Sequence, residues 1–236
     1  MTGGDGPGTI EHVFVSADPS PVAPTVAWQG SLLTCGAPAV DRAFTSLERV
    51  QLDSTSWVDV QGAWLQGGDE VLAELVGLVS WRQRRVTMYG RLLDEPRLTA
   101  WWAVARTEDV PVPVLADAWV ALNEHYGRRF DSVGANLYRD GADSVAWHGD
   151  RIRHSLEEAV VAIVSLGQPR PFLLRPRGGG RSLTFRPGAG DLLVMGGRCQ
   201  QDWEHTVPKV ARAGPRLSLT FRHGAPDPAQ ELEPPV

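Results

Sequence analysis

Cysteine is nearly absent from this chain of 236 residues, in which Cys35 and Cys199 are the only two. Two cysteines are too few for a disulfide scaffold or a cysteine-based zinc site, and they are typical of a reducing compartment. Long apolar runs are missing too, since no stretch approaches the roughly 18 residues that a membrane-spanning helix needs. The N-terminus lacks the pattern of a signal peptide. We therefore expect a cytoplasmic protein with no membrane association.

Positive charge is not in excess, because 23 Lys and Arg stand against 28 Asp and Glu, a formal net charge of -5. This balance argues against a protein that coats nucleic acid by bulk electrostatics. The charge is uneven along the chain, however: residues 1–80 have a formal charge of -8, whereas residues 81–106 have +4. Guanidinium groups with interleaved aromatic rings suit single-stranded nucleic acid, whereas the alternative is an amphipathic strand pair with solvated arginines. The residues of interest in this stretch are Tyr89, Arg97, Trp101 and Trp102.

Helical periodicity is limited to two segments, while 25 Gly and 18 Pro indicate many turns. The first helix is predicted over 69–79, with Asp69 as its cap, and the second over about 114–126, ended by Gly127. Both should pack outside a sheet. After Arg129, short runs of β-formers separated by turn residues predict a sandwich or barrel of antiparallel strands. The candidate strands are 132–138, 144–147, 159–165, 171–174, 182–185, 191–195 and 216–221.

A candidate metal group begins with His148 and Asp150, which flank one glycine at the end of a predicted strand. Residues two apart on an extended strand point to the same face and can bind one ion together. Such a triplet is often structural when it stands alone, but His205 follows another strand run and offers a third ligand. Two histidines and one carboxylate bind Fe(II) on one face and leave positions open for a cosubstrate and dioxygen.

A second candidate site is the alternating segment from Arg216 to Arg222. It predicts a half-buried strand with both arginines on one face, about 20 Å apart at their Cα atoms, converging on a small dicarboxylate. A buried guanidinium needs an anionic partner, whereas the alternative is an edge strand with its arginines in solvent. On another strand, Asn136 and Tyr138 share a face and could hydrogen-bond the same carboxylate.

Taken together, these motifs resemble the AlkB family of Fe(II)- and 2-oxoglutarate-dependent dioxygenases, over about residues 81–223. The segment 95–101 resembles the part that helps build the nucleotide-binding lid in the DNA-repair branch of that family. The segments that follow the family order and approximate spacing are 136–141, 143–150, 165–167, 190–195, His205 and 216–222.

The resemblance implies a mostly β fold with flanking helices (α+β), namely a double-stranded β-helix, or jelly roll, with an N-terminal helical and nucleotide-lid extension. An arm and helix over 1–80 would pack on a dioxygenase domain over 81–236, with the lid at about 81–106 and the jelly roll at about 130–223. Iron would be held by His148, Asp150 and His205. The residues implied for 2-oxoglutarate are Asn136, Tyr138, Arg216, Ser218 and Arg222.

The implied reaction uses dioxygen to convert 2-oxoglutarate to succinate and carbon dioxide and to hydroxylate an N-methyl group, which leaves as formaldehyde. The implied substrate is an alkylated base of the 1-methyladenine or 3-methylcytosine type, in DNA or in RNA. Because a stacked base is inaccessible, we expect it single-stranded or flipped out, and we expect a monomeric enzyme. The residues expected to contact this substrate are Tyr89, Arg97, Trp101, Trp102 and Arg175.

The sequence departs from the family pattern at two places. Arg151 to Arg153 follow the His-x-Asp triplet where the family often has acidic residues, so base preference stays open. Ser218 stands where the family commonly has asparagine, which should weaken one cosubstrate hydrogen bond by roughly 0.5–1.5 kcal/mol. Two alternatives also stay open: the same chemistry on tRNA, protein or a small molecule, and a jelly roll that binds nucleic acid without catalysis.

Overall fold

The computed structural model of this protein describes residues 21–26, 36–88, 91–150 and 159–224. Its helices are α1 (Gly68–Leu78), α2 (Pro113–Tyr126) and α3 (Cys199–Asp202), with a 3-10 turn at Thr107–Asp109. Its strands are β1 (Ala39–Val40), β2 (Glu48–Gln51), β3 (Ser56–Gln61), β4 (Leu65–Gln66), β5 (Arg85–Met88), β6 (Arg91–Asp94), β7 (Leu98–Ala103), β8 (Ser132–Tyr138), β9 (Val145–His148), β10 (Val161–Gly167), β11 (Phe172–Pro176), β12 (Leu183–Phe185), β13 (Asp191–Gly197), β14 (Trp203–Val207) and β15 (Arg216–Arg222).

Two antiparallel sheets form the body of the protein. The main sheet has seven strands in the order β2-β3-β13-β10-β15-β8-β7, and the minor sheet has four in the order β12-β11-β14-β9. Separately, β1 pairs with β4, and β5 pairs with β6 in a hairpin. Within the part of the chain that the structure describes, no helix is long and apolar enough to cross a bilayer.

The side chains of each main-sheet strand alternate between two cores, because successive residues of a strand point to opposite faces. On one face, Leu217 of β15 belongs to the same apolar cluster as Leu72 of α1 and Leu115 of α2. On the other face, Ile163 of β10 clusters with Leu174 of the minor sheet. The layers therefore run helices, main sheet, minor sheet, and the two predicted helices pack outside a sheet as expected.

β15 is buried on both faces, so the prediction of a half-buried strand was wrong. Its apolar residues face the helices, while Arg216, Ser218, Thr220 and Arg222 face the minor sheet. A polar face normally indicates solvent. Here it lines the space between two sheets, where Arg216 bonds to Ser165 on the neighbouring β10 and Arg222 bonds to Asp150, just after β9.

The two long helices begin and end within a residue or two of their predicted limits. α2 starts at Pro113, whose fixed φ suits a first helical position, and stops at Gly127 with φ 59°. α1 begins after Gly67, which has φ 66°, and no side chain caps it. Asp69 lies in the first turn of α1 rather than at its cap, so that detail of the prediction was wrong.

Two of the four strands before residue 80, β2 and β3, are part of the main sheet. β3 pairs with β13 along six residues, and β2 extends the sheet by one more strand. The turn between β2 and β3 is tied to the first residue of β14, since the Trp203 indole Nε1 donates to Asp53 Oδ2 at 2.7 Å. The backbone N–H of Arg198 also donates to the carbonyl of Thr55 at 3.2 Å. We call this β2–β3 unit (residues 48–61) the N-terminal hairpin.

Candidate metal centre and cosubstrate site

His148, Asp150 and His205 come together at one end of the space between the sheets. His148 on β9 is paired directly with His205 on β14, and their ring centroids are 4.3 Å apart. One ligand atom from each of the three residues lies within 4.8 Å of the others, an arrangement that could hold a metal ion. His205 is inside a strand rather than beyond one, so strand pairing itself brings the two imidazoles together.

The charges of this group suit a cation. Burial alone would raise the pKa of Asp150, but the charge of Arg222, and then those of the two histidines, hold it well below its usual value. Burial and the neighbouring His148 lower the pKa of His205 to about 3. At neutral pH the carboxylate is therefore ionised and the His205 imidazole is neutral, which are the forms that bind metal.

The ligand side chains are also oriented. Asp150 Oδ1 accepts a hydrogen bond from Arg222 Nε at 2.9 Å, while its buried Oδ2 has no hydrogen-bond partner and lies 3.7 Å from His205 Nε2. His148 Nδ1 must donate to the carbonyl of Ala146 at 2.9 Å, which leaves Nε2 as the metal-binding nitrogen. The orphaned oxygen and the two-histidine, one-carboxylate donor set fit Fe(II).

The deep part of the same space holds the buried positive charge of Arg216, which has no ion-pair partner among the described residues. Arg216 is 1% exposed; its Nη2 donates to Ser165 Oγ at 2.7 Å, but Nε and Nη1 have no partner. Its guanidinium carbon lies 5.5 Å from the Tyr138 ring centroid. Burying two unsatisfied hydrogen-bond donors of a charged group is costly, so this geometry fits the carboxylate of a dicarboxylic acid.

The residues predicted to hold 2-oxoglutarate divide into two sets. In the register of the main sheet, Ser218 is paired with Asn136 on one side and with Ser165 on the other, and Arg216 is paired with Tyr138. The four predicted residues among these, all except Ser165, therefore share the inner face of the sheet. Arg222 shares that face but is bonded to Asp150 at the metal group. The two arginines of β15 are thus used differently, and a direct contact of Arg222 with the cosubstrate stays a prediction.

The predicted substrate residues are more scattered. Trp101 is paired with Gly134 in register, on the face of β7 that looks toward the minor sheet. Trp102 points the other way and packs against the helix-side core, so the structure does not bring it to the site. Arg97 Nε donates to Asn136 Oδ1 at 3.1 Å, which places Arg97 beside a predicted cosubstrate residue.

Arg175 lies on β11, the strand next to the one that carries His205, but its side chain is on the opposite face of the minor sheet from His205. It stacks on Trp147 with 3.8 Å between guanidinium carbon and ring centroid, and it pairs with Glu204 at 2.6 Å. Tyr89 lies outside the described residues, as do Arg151 and Arg153.

Three residues that shape the site were not found from the sequence. The Phe172 ring stacks on His205 with 5.0 Å between centroids. Gly134 leaves room for Arg222, because a Cβ there would lie 2.8 Å from Arg222 Nη1. Gln200 contacts the backbone of Asp150. A glycine in the middle of a strong strand could have indicated a close approach of this kind.

Comparisons with known proteins agree with this geometry. The sequence pattern of the 2OG-Fe(II) oxygenase superfamily matches residues 71–222. The human alpha-ketoglutarate-dependent dioxygenase alkB homolog 3 is 34% identical over 203 residues, which are 78% of this chain and 69% of that protein. The DNA oxidative demethylase ALKBH2 of Arabidopsis thaliana is 30% identical over 184 residues, 61% of this chain and 58% of that protein.

A solved structure supports the fold. The prolyl hydroxylase of Trichoplax adhaerens, in complex with a hypoxia inducible factor peptide, superposes with a TM-score of 0.53 at 12% sequence identity. The match covers 74% of this chain and 85% of that one. The predicted jelly roll with flanking helices is confirmed.

Two facing antiparallel sheets with a His-Asp-His group between them define a jelly-roll oxygenase that works with a non-haem metal. The chain belongs to the 2OG-Fe(II) oxygenase superfamily and, within it, to the AlkB family. It is a 2-oxoglutarate-dependent dioxygenase, and its cofactors are Fe(II), 2-oxoglutarate and dioxygen.

Proposed function

We propose that this protein oxidatively demethylates alkylated bases of the 1-methyladenine or 3-methylcytosine type in single-stranded or flipped-out DNA, with RNA as the second candidate. The observation that carries the proposal is that two buried groups between the sheets have polar atoms without a hydrogen-bond partner. Among the residues that the structure describes, Asp150 Oδ2 has no hydrogen-bond partner at the metal group, and Arg216 Nε and Nη1 have none deeper inside. A metal and a dicarboxylate together satisfy both.

The nucleic-acid substrate is supported by the side chains of the stretch 81–106 and by the name of one relative. Trp101 offers an indole on the inner face of β7, and Arg85 and Arg97 belong to the stretch 81–106, with its formal charge of +4. The relative from Arabidopsis thaliana is named a DNA oxidative demethylase. Aromatic faces and guanidinium groups are the side chains that bind single strands without a duplex groove.

Each residue would have a defined part. His148, Asp150 and His205 would hold Fe(II), which supplies the activation of dioxygen coupled to the oxidation of 2-oxoglutarate. Arg222 would keep Asp150 ionised and its free oxygen aimed at the metal. Arg216 would neutralise the far carboxylate of the cosubstrate, and the burial of this space would exclude water from the reacting groups.

The test is an assay of the full chain with Fe(II), ascorbate, 2-oxoglutarate and a single-stranded oligonucleotide that carries 3-methylcytosine or 1-methyladenine. We expect loss of the methyl mass that requires both iron and 2-oxoglutarate, with one formaldehyde per demethylated base. An Asp150→Ala variant should lose this activity, because the only carboxylate of the metal group is removed. Arg212→Ala, an exposed change in the loop before β15, should keep it.

Other outcomes would redirect the proposal. Succinate formation with the methyl group untouched would keep the oxygenase and reject this substrate. Equal demethylation by Asp150→Ala would reject the site itself. Comparison of matched DNA and RNA oligonucleotides decides between the two nucleic acids.

A further inference from the structure

Asp150 is fixed at two points of different kinds. Its side-chain Oδ1 is held by Arg222, and its backbone N–H donates to Gln200 Oε1 at 2.9 Å, across 50 residues of chain. The backbone bond restrains the start of the side chain and the guanidinium restrains its end. Only Oδ2 is left without a partner, and it lies 3.7 Å from His205 Nε2.

Gln200 is itself locked in place. It is 6% exposed within α3, and its Nε2 lies 3.6 Å from Met195 Sδ. Because a backbone N–H only donates and a thioether only accepts, the amide has one orientation that satisfies both neighbours. The oxygen must therefore face Asp150.

The backbone of α3 packs directly on the residue between the two ligands. A Cβ on Gly149 would lie 2.8 Å from the Gln200 carbonyl oxygen and 2.7 Å from Arg177 Nη2. Arg177 Nη2 in turn donates to that carbonyl at 3.2 Å. The glycine at this position is thus required by the close fit of α3 against the His148–Asp150 segment.

We propose that Gln200 is a positioning residue of the metal centre, which sets the main chain of Asp150 so that Oδ2 points to the ion. The inference rests on the proposed function only in taking His148, Asp150 and His205 as the metal ligands. Loss of a hydrogen-bond partner of a metal ligand typically weakens metal binding by ~10–100-fold. Gln200 acts through Asp150 and needs no contact with the metal.

The experiment measures Mn(II) affinity of the full-length protein by titration calorimetry, without substrate or turnover. Gln200→Met keeps the length and burial of the side chain but replaces the amide oxygen with a thioether, which is only a weak acceptor, and we expect it to bind Mn(II) at least ~10-fold more weakly. Gln200→Glu keeps an acceptor oxygen and should stay within about threefold of the wild type or bind more tightly. The matched control is Gln66→Met, the same change at an exposed glutamine on β4, which should have wild-type affinity.

Two results would overturn the proposal: wild-type affinity in Gln200→Met, or an equal loss in Gln200→Met and Gln200→Glu, since the second shows that the acceptor is not what matters. Thermal unfolding of the metal-free variants separates a folding defect from a metal defect, because only a positioning role weakens Mn(II) binding at unchanged melting temperature. Failure of the wild type to bind Mn(II) at all would instead reject the metal assignment of the proposed function.

Discussion

At the scale of single residues, the site contains buried polar atoms that have no hydrogen-bond partner. Arg216 keeps Nε and Nη1 unbonded although it is fully buried, and Asp150 keeps one oxygen unbonded beside His205. Buried groups of this kind destabilise a protein unless a ligand satisfies them. The protein therefore sacrifices some stability at these two positions for the ability to bind.

The first prediction concerns Arg216. We expect Arg216→Lys to raise the KM for 2-oxoglutarate by roughly 10–100-fold, because a charge-assisted hydrogen bond contributes about 1.5–3 kcal/mol and an ammonium cannot reproduce the planar fork. Steady-state kinetics of succinate formation measure this. Arg212→Lys, in the exposed loop before β15, is the control and should leave the KM unchanged. An unchanged KM in Arg216→Lys would exclude this residue from cosubstrate binding.

The second prediction concerns Gly134. The space that a methyl side chain would need at this position is filled by Arg222, whose Nη1 would lie 2.8 Å from an added Cβ. We expect Gly134→Ala to displace the guanidinium from Asp150 and to weaken Mn(II) binding by roughly 10-fold, as for other partners of metal ligands. Gly77→Ala on α1, where a Cβ meets nothing within 4 Å, should bind Mn(II) like the wild type. Equal affinities for both variants would show that Arg222 is not needed at Asp150.

At the scale of elements, the N-terminal hairpin supports the strand that carries His205. Burial alone would raise the pKa of Asp53, but hydrogen bonds from the Thr55 backbone and the Trp203 indole lower it to about 2. Its folded-state pKa is therefore below the value of an unfolded chain. The stabilisation is present above about pH 4 and is lost as the pH falls through about 2.

This gives a prediction on pH. Asp53→Asn should lower the free energy of unfolding near neutral pH by roughly 1 kcal/mol, since Asp53 is largely exposed and solvent screens its charge. The difference from the wild type should shrink as the pH falls from about 4 to 2. Urea unfolding at several pH values measures it. Asp94→Asn, in an exposed pair with Arg85, should differ little from the wild type throughout. A pH-independent Asp53→Asn effect would contradict the ionic origin.

Local sequence patterns predicted the elements whose signals are local. α2 followed from its periodicity and Gly127, and β8 was predicted at the limits it has. β14 was missed because its polar residues Glu204 and Thr206 weaken the apolar pattern of a strand. Its strand conformation follows from pairing with β11 and β9, which the local sequence does not show. The N-terminal hairpin was missed for the same reason, since its place depends on β13, more than 130 residues later.

The metal ligands were predicted correctly from the sequence, whereas the substrate residues were predicted only in part. His148, Asp150 and His205 have strong chemical signatures, and the structure brings them together. Trp101 and Trp102 are neighbours of one type, and composition alone cannot decide which of them faces the site. Strand register decides it, because adjacent residues point to opposite faces.

At the scale of the whole molecule, the sheet crosses residue 80, where sequence analysis divided the chain. β3 covers the edge of β13, and Asp53 reaches Trp203 two residues before His205. The early part of the chain is thus joined to the metal-bearing strands by both backbone pairing and a side-chain bond.

A truncation tests this joining. We expect a variant without residues 1–61 to aggregate or to unfold at a lower temperature, because the edge of β13 would be left unpaired. Size-exclusion chromatography and thermal unfolding measure both effects. A variant without residues 1–20 keeps the N-terminal hairpin, and the 62–236 variant should elute and melt less well than this shorter truncation. A well-behaved 62–236 variant with wild-type Mn(II) affinity would show that the hairpin is dispensable.

The alternation along β15 has an evolutionary consequence. Leu217, Leu219 and Phe221 hold the helices to the main sheet, whereas Arg216 and Ser218 face the cosubstrate space and Arg222 the metal group. Selection can thus act on the even-numbered positions alone and leave the packing of the odd-numbered ones intact. A descendant of this protein could change which oxoacid it uses through one or two substitutions on a single strand face, while inheriting its fold unaltered.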